Sequence, residues 1–365
     1  MLDVAKMTQK HIFGWILLVF TIYIQLPLVS MARSYDYSDA RAFAIMAFGA
    51  VVLFWFAFSR DKLSKAQLVP ICAVGVLFVH SLFFCWVPGY TIYALSLWLS
   101  VMLLAVFVAK CDPEYVSWAF LLIVVVQFFS NYWKLVPWAH DYGDNYQYGT
   151  VRHTIRYTTL LYVGVIGCLE LVVKKDRFKI AMGSIMGAVS LYTIFTIRPT
   201  SHTIVAITCL TFVVLAIRYS KMIVVPYMVI CAVVVVYVYF KGDMILDHAR
   251  NGWWSGTLSE CFATIKSMVV GRGFYSFPLT HGESSFCTPW HPHNELINVL
   301  YDVGITGTIA ILGFVGWITY RLRNSFVRMV GFLGVSGSML TNSVRYPDMA
   351  FIWAFFIGSA LYEQD

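Results

Sequence analysis

Residues Thr91 to Ala109 read TIYALSLWLSVMLLAVFVA, with no charged side chain before Lys110. A helix needs about 20 apolar residues to cross bilayer hydrocarbon, and this run supplies them without interruption. Similar stretches recur from one end of the chain to the other. They lie near 12–30, 42–58, 68–86, 115–133, 155–173, 179–197, 202–219, 222–240, 294–316, 328–343 and 348–362. With 91–109 they make about twelve expected spans, so the fold class predicted is an all-α, polytopic transmembrane bundle. Composition agrees. The chain is 59% hydrophobic and 12% charged, and soluble domains carry about 25% charged residues. Its mean hydropathy is +0.72, and Trp and Tyr suit the two membrane interfaces.

The formal charge of +7 does not point to nucleic acid, because the basic residues are spread in short runs between apolar stretches. Placing the N-terminus in the cytoplasm gathers Lys6/Lys10, Arg60/Lys62/Lys65, Lys110, Lys174/Lys175/Arg177/Lys179, Arg218/Lys221 and Arg321/Arg323/Arg328 on the inner side. The opposite orientation would translocate the densest clusters, against the positive-inside rule. No cleavage site with small residues follows the first apolar segment, so it reads as a retained span. The chain reads as one integral membrane domain, 1–365, with no separate soluble domain.

One stretch is too long and too polar to belong to the membrane: Lys241 to Pro292, on the outer side in this orientation. Within it Thr257-Leu-Ser-Glu260 has the spacing of a capping box. Leu258, Cys261, Phe262, Ile265 and Met268 then recur as one apolar stripe. A surface helix starting at Thr257 is therefore predicted, anchored by Trp253 and Trp254 and ended by Gly271-Arg272-Gly273. Cys261 and Cys287 both fall in this loop, where an oxidising compartment permits a disulfide. The eight cysteines show no paired spacing for zinc.

The loop closes on His291-Pro292-His293-Asn294, followed after nine residues by Gly304-Ile-Thr-Gly307. Asn294 is a good N-cap for the next span. His293 then stands at a helix N-terminus, where the macrodipole disfavours imidazolium and leaves a neutral ring able to take a proton. Gly304 and Gly307 are spaced for close helix contact. The bland reading is a solvated histidine and two packing glycines.

This string resembles the signature of the O-antigen ligase family of bacterial envelopes: His with Asn, Ser or Gln, nine residues, then Gly-x-x-Gly. Gly271-Arg272-Gly273-Phe274 is similar to that family's Gly-x-Gly-x-x-x-Phe stretch, with Phe arriving early. Arg250 before Trp253/Trp254 resembles the Arg…Trp that opens its long loop. Arg198 sits on an outer turn as the family's turn arginine does. The resemblance is strongest over about 250–315 and topological elsewhere.

The resemblance implies an enzyme of lipopolysaccharide biosynthesis in the inner membrane of a Gram-negative cell. It would be a glycosyltransferase moving polysaccharide from undecaprenyl diphosphate to a sugar hydroxyl of lipid A–core, on the periplasmic face, without metal or cofactor. His293, Arg198 and Arg250 would be the catalytic residues; Arg152, Arg156, Arg272, Arg345 and Asn294 would contact substrate. The residue chemistry suits this. A departing lipid diphosphate needs cations and fixed donors, and guanidinium meets phosphate oxygens in a fork. Outward arginines also run against the positive-inside bias, although each singly can be a headgroup contact. One displacement, with His293 as base, would invert the anomeric carbon.

Rival readings stay open. An O-antigen polymerase would share donor and topology but extend another lipid-linked glycan. A lipid-linked glycan transporter would place charges near the midplane. Asp141 and Asp144 form a turn-rich segment that a divalent cation could occupy in a metal-dependent enzyme. Glu283 is a second candidate base. Asp302 is spaced wrongly to share a face with His293. Glu170 is expected to pair with Lys174 one turn on.

Overall fold

The computed structural model describes residues 2–25, 38–59, 62–84, 88–132, 154–173, 176–196, 248–274, 295–337 and 347–362. Among them the chain is helical apart from short turns and contains no strand. The first seven helices are α1 (Leu2–Gln25), α2 (Ser38–Phe58), α3 (Lys65–Phe84), α4 (Pro88–Val108), α5 (Pro113–Tyr132), α6 (Thr154–Val173) and α7 (Arg177–Thr196). They are followed by α8 (His248–Cys261), α9 (Ile265–Val270), α10 (Glu295–Arg321), α11 (Phe326–Gly337) and α12 (Pro347–Leu361). Helix forms the described part of every span expected from the sequence, while 202–219 and 222–240 lie wholly outside the described residues.

Among the described residues, five helical stretches are long and apolar enough to cross a membrane: Ala40–Phe58, Lys65–Phe84, Thr91–Val108, Pro113–Ser130 and Glu295–Asn324. Shorter apolar stretches at Thr159–Val173, Phe326–Ser336 and Met349–Leu361 accompany them. Helix α1 begins at Leu2, ahead of the first expected span. Its leading turns contain Ala5, Lys6, Met7, Gln9 and Lys10, side chains that favour helix without needing lipid.

Local chemistry marks the helix starts. Pro88, Pro113 and Pro347 open α4, α5 and α12, where a fixed φ helps and a missing amide costs nothing. Asp112 Oδ1 accepts the Glu114 amide at 2.8 Å and Asp176 Oδ1 accepts the Phe178 amide at 2.9 Å, satisfying first-turn donors of α5 and α7.

Every side chain of α12 from Met349 to Ile357 is buried, so this helix is the hub of the bundle, packed on α4 and α2. Gly358 allows that contact: a Cβ there would come within 2.6 Å of the Ala105 carbonyl oxygen. Outward positions are as apolar as inward ones, and Phe83 on α3 is 76% exposed. Such a surface is stable only where hydrocarbon is the solvent.

The bundle has two chemically distinct ends. At one end His11 Nδ1 meets Tyr115 Oη at 3.1 Å, Lys10 lies over the Tyr362 ring, and Arg321 Nε donates to the Ala360 carbonyl at 2.9 Å. Lys179 pairs there with Glu114 at 2.6 Å. At the other end Gln127 Nε2 donates to Gln25 Oε1 at 2.6 Å, and Arg41 Nε donates to the Ile24 carbonyl at 3.1 Å. Lys10, Lys110, Lys179 and Arg321/Arg323/Arg328, all expected together on one side, adjoin the first end. Helices α8 and α9 of the long loop adjoin the second.

Glu170 pairs with a cation the sequence did not suggest, while Lys174, the partner expected, lies outside the described residues. Arg328, at the start of α11, donates through Nε to Glu170 Oε1 at 2.6 Å and through Nη2 to Oε2 at 2.9 Å. The same guanidinium reaches the Pro113 carbonyl at 2.6 Å and Ser359 Oγ at 3.0 Å, while Ser117 Oγ donates to Glu170 at 2.5 Å. Four helices (α5, α6, α11 and α12) therefore meet on one ion pair. Tertiary packing brings a cation from 158 residues away, which local i,i+4 spacing cannot reveal. The side chains are only 7% and 12% exposed, so removing one partner strands a buried charge, at about 3–5 kcal/mol. Arg328→Ala is expected to lower the thermal midpoint of the purified protein strongly. The double variant Arg328→Ala/Glu170→Ala should lose less than the sum of the single changes, because it strands neither charge.

Candidate active site

Within residues 248–274 the loop forms two helices where the stripe from Thr257 suggested one continuous helix. Thr257 is not an N-cap: α8 runs through it from His248, and its side chain is buried. The capping box forms instead at Thr264, whose Oγ1 accepts the Ser267 amide at 3.0 Å while Ser267 Oγ accepts the Thr264 amide at 3.1 Å. Serine fills the place where Glu or Gln is usual, so the motif escapes a search for the common pattern. The break at 262–264 also splits the predicted apolar stripe. Cys261 is buried, whereas Phe262 and Ile265 are exposed, Ile265 at 79%. Bare apolar side chains on the loop end suit contact with the lipid interface.

Helix α9 ends at Gly271 (φ 73°), as the sequence predicts, and the next residues dock on α10. The Arg272 amide donates to the Asp302 carbonyl at 3.1 Å and the Gly273 amide to the same oxygen at 2.8 Å. Opposite them α10 is interrupted at Gly304, with φ 64° and ψ −170°, a conformation essentially confined to glycine. A Cβ on Gly271 would fall on the Asp302 carbonyl, and one on Gly304 on the Val269 carbonyl. Thr306 Oγ1 closes the junction by donating to Val269 O at 2.7 Å. The expectation that Gly304 and Gly307 line one helix face is therefore corrected. Gly304 breaks the helix, and a Cβ on Gly307 would meet Val303 of its own chain across the kink rather than a neighbouring helix.

The Arg272 side chain braces this turn. Its Nη2 donates to the Glu260 carbonyl at 3.3 Å, its Nη1 lies 3.9 Å from Glu260 Oε2, and the guanidinium rests 4.9 Å from the Tyr301 ring centre. The ion pair is half-exposed and weak; the stacking fixes the plane of the fork. Cys261 is buried nearby as a free thiol. Burial pushes that thiol up to about 12, with Arg272 pulling weakly the other way. Its proposed partner Cys287 lies outside the described residues.

Other contacts moor the loop to the bundle, and none was expected from sequence. His80 Nε2 on α3 donates to the Val270 carbonyl at 2.7 Å. Thr91 on α4 donates to Phe274 O at 2.9 Å. A lone histidine within an apolar helix was the available signal. Just after the loop, Glu295, Asn298 and Asp302 share one buried face of α10, with Asp302 0% exposed. Asn298 Nδ2 donates to Glu295 Oε2 at 3.3 Å, and Asn298 Oδ1 has no partner. Their i, i+3, i+7 spacing in an apolar segment was legible as a polar stripe.

Of the candidate site residues only Arg272 has a described side chain. Arg156 lies on α6 and Arg250 on α8, where the backbone alone is described. His293, Asn294, Arg198, Arg152 and Arg345 lie outside the described residues, as do Glu283, Asp141 and Asp144. The helix ends next to them in sequence do share one place. The Glu170 end of α6, the Lys179 end of α7 and the Ser359 end of α12 all sit at the basic end. The opposite ends, Thr154, Thr196 and Pro347, therefore point to the loop end, as does Glu295 of α10. Among the described residues no three His, Cys, Asp or Glu side chains are grouped to hold a metal ion.

No protein-family model matches the chain, and no curated protein is found as a relative.

Gly304→Ala is expected to cost about 1–3 kcal/mol in backbone strain and to loosen the loop, read as a lower melting midpoint and faster proteolysis near Arg272. Gly313→Ala, where a Cβ meets nothing within 4 Å, is the neutral control. The Cys261 thiol should resist maleimide at pH 8 and react on unfolding. Because its folded value of about 12 exceeds its ordinary 9.0, the folded state alone keeps the proton between them, so its contribution to stability falls as pH rises past 9.0. Cys261→Ala should flatten that decline in a pH series of melting midpoints.

Proposed function

We propose that this protein is a lipid-dependent glycosyltransferase of the O-antigen ligase type. In this reading it transfers polysaccharide from undecaprenyl diphosphate to a sugar hydroxyl of lipid A–core. The enzyme sits in the inner membrane of a Gram-negative cell, with both termini cytoplasmic and the loop end periplasmic. The observation that carries the reading is the backbone junction between Gly271-Arg272-Gly273 and Asp302–Gly304. These are two of the strings on which the resemblance rests, far apart in sequence. Their interdigitation supports treating them as one motif rather than two coincidences. The helix ends that adjoin Arg152, Arg198 and Arg345 in sequence lie at the same end of the bundle as that junction, which is consistent with the reading.

The chemistry is a direct displacement. His293 takes the proton of the acceptor hydroxyl as its oxygen attacks the anomeric carbon, and the glycosidic bond to the diphosphate breaks. The leaving group carries its electron pair away as undecaprenyl diphosphate. Arg198 and Arg250, with Arg152, Arg156 and Arg345, hold its charge, and Arg272 keeps the turn in place beside them. Asn294 caps the helix that presents His293. The reaction needs no metal, and inversion follows from a single step.

Reconstitution with lipid-linked polysaccharide and lipid A–core tests this. Wild type should label the core with inverted configuration in the presence of chelator. His293→Ala should lose on the order of 10²-fold or more, the usual contribution of a positioned base. Extension of glycan on the carrier with no labelling of core would replace the ligase reading by polymerase. Undiminished transfer by His293→Ala would remove the base.

A further inference from the structure

At the basic end of the bundle, opposite the loop, lies a cavity of about 680 Å³. Pro113, Ser117 and Glu170 form part of its wall, the 321–328 segment another, and Ser359 and Tyr362 of the last helix a third. We propose that this cavity binds a phosphate group, seated between Arg321 and Arg323 over the first turn of α11. The proposal does not depend on the chemistry at the loop end.

Charge is the first argument. Among the described residues the cavity wall carries Arg321, Arg323 and Arg328 against a single acid, Glu170. Glu170 is consumed by Arg328, which takes both of its oxygens. Arg321 spends only Nε, on the Ala360 carbonyl at 2.9 Å. Arg323 spends Nη1 on the Tyr320 carbonyl at 3.1 Å and lies flat over the Tyr320 ring at 4.0 Å. Neither is ion-paired among the described residues. Both therefore keep terminal N–H groups in hand, and the Tyr320 stacking pre-orients one fork at little entropic cost.

The second argument is the backbone. A 3₁₀ turn, Leu322–Asn324, stops the long helix and restarts the chain as α11, whose first intrahelical bond is Met329 N to Ser325 O at 2.9 Å. Val327 and Arg328, whose amides precede that bond, are among the residues that border the cavity. No acidic side chain occupies the first turn. Three arginines and the first turn of a helix thus border one concave space, a setting that favours a multiply charged oxyanion.

The third argument is location. Val173 and Tyr320 at this end are exposed apolar surface beside the cavity, so a ligand with acyl chains could keep them in hydrocarbon while its phosphate enters. Basic pockets between membrane helices on the inner side take anionic headgroups by this logic. A free phosphate compound would use the same donors, so the source is decided by experiment.

The test uses the full-length protein in phosphatidylcholine nanodiscs, titrated separately with phosphatidylglycerol and with inorganic phosphate while the melting midpoint is followed. We expect one of them to raise the wild-type midpoint by a few degrees in a saturable manner. Arg321→Gln/Arg323→Gln should shift half-saturation by roughly tenfold or more, the loss of charge-assisted hydrogen bonds. Arg323→Gln alone, which leaves the Arg321 contact to Ala360 intact, should show a smaller shift in the same direction. Lys65→Gln, at the same end but outside the cavity, should change nothing. Response to phosphatidylglycerol alone identifies a lipid headgroup; response to inorganic phosphate identifies a soluble ligand. No saturable response to either, an undiminished response in Arg323→Gln and the double variant, or an equal loss in Lys65→Gln overturns the proposal. The last result would mean that the basic end attracts anions only as a diffuse surface.

Discussion

A break in a membrane helix leaves backbone carbonyls that hydrocarbon cannot solvate, and the loop of this protein supplies the missing donors. Where α10 stops being helical at Gly304, the Asp302 carbonyl accepts the amides of Arg272 and Gly273. The reverse also holds: the Val269 carbonyl, at the end of α9, accepts the Thr306 hydroxyl. Neither segment can keep this conformation without the other, since irregular backbone at membrane depth survives only against protein or water. Glycine at 271 and 304 is the steric condition, because the two backbones touch where side chains would otherwise stand.

That junction explains the attachment of the loop. Arg272 on Tyr301, His80 on Val270 and Thr91 on Phe274 hold it to α10, α3 and α4 respectively. Each is modest alone, but together they fix a turn of only a few residues from three sides. Any chemistry performed at that end would gain a rigid support. The exposed Phe262 and Ile265 at the same end leave the structure leaning on lipid rather than closed off by protein.

The opposite end is organised by charge. Glu170 and Arg328 neutralise one another where four helices meet, and the hydroxyls of Ser117 and Ser359 complete their hydrogen bonding. Such a pair stabilises little relative to an apolar replacement, but once present it specifies which helix ends belong together. The uncompensated arginines beside it leave this end positive, in keeping with the alternation of basic segments along the chain.

Much of the helical layout was legible because lipid imposes one rule, an apolar run near 20 residues, and the chain obeys it at Thr91–Val108 and elsewhere. The Gly271 stop was legible for the same kind of local reason: a residue type with one dominant conformational use. Legibility failed where the deciding partner is distant. Spacing sees only one turn ahead of Glu170, and the sequence carries no mark joining it to Arg328. Thr257 was taken for a cap because its pattern is common, while Thr264 caps with a serine in the reciprocal place. Gly304 was read as a packing residue, since helix periodicity says nothing of a backbone that leaves the helix to meet another chain segment. By itself the sequence determined that the protein is helical and apolar and that its basic residues alternate, since each depends on the residue and its near neighbours. The order of burial, with α12 at the hub, the broken α10 and the two differently charged ends were decided by tertiary structure. Helices equally apolar on every face carry no label for which of them lipid will touch.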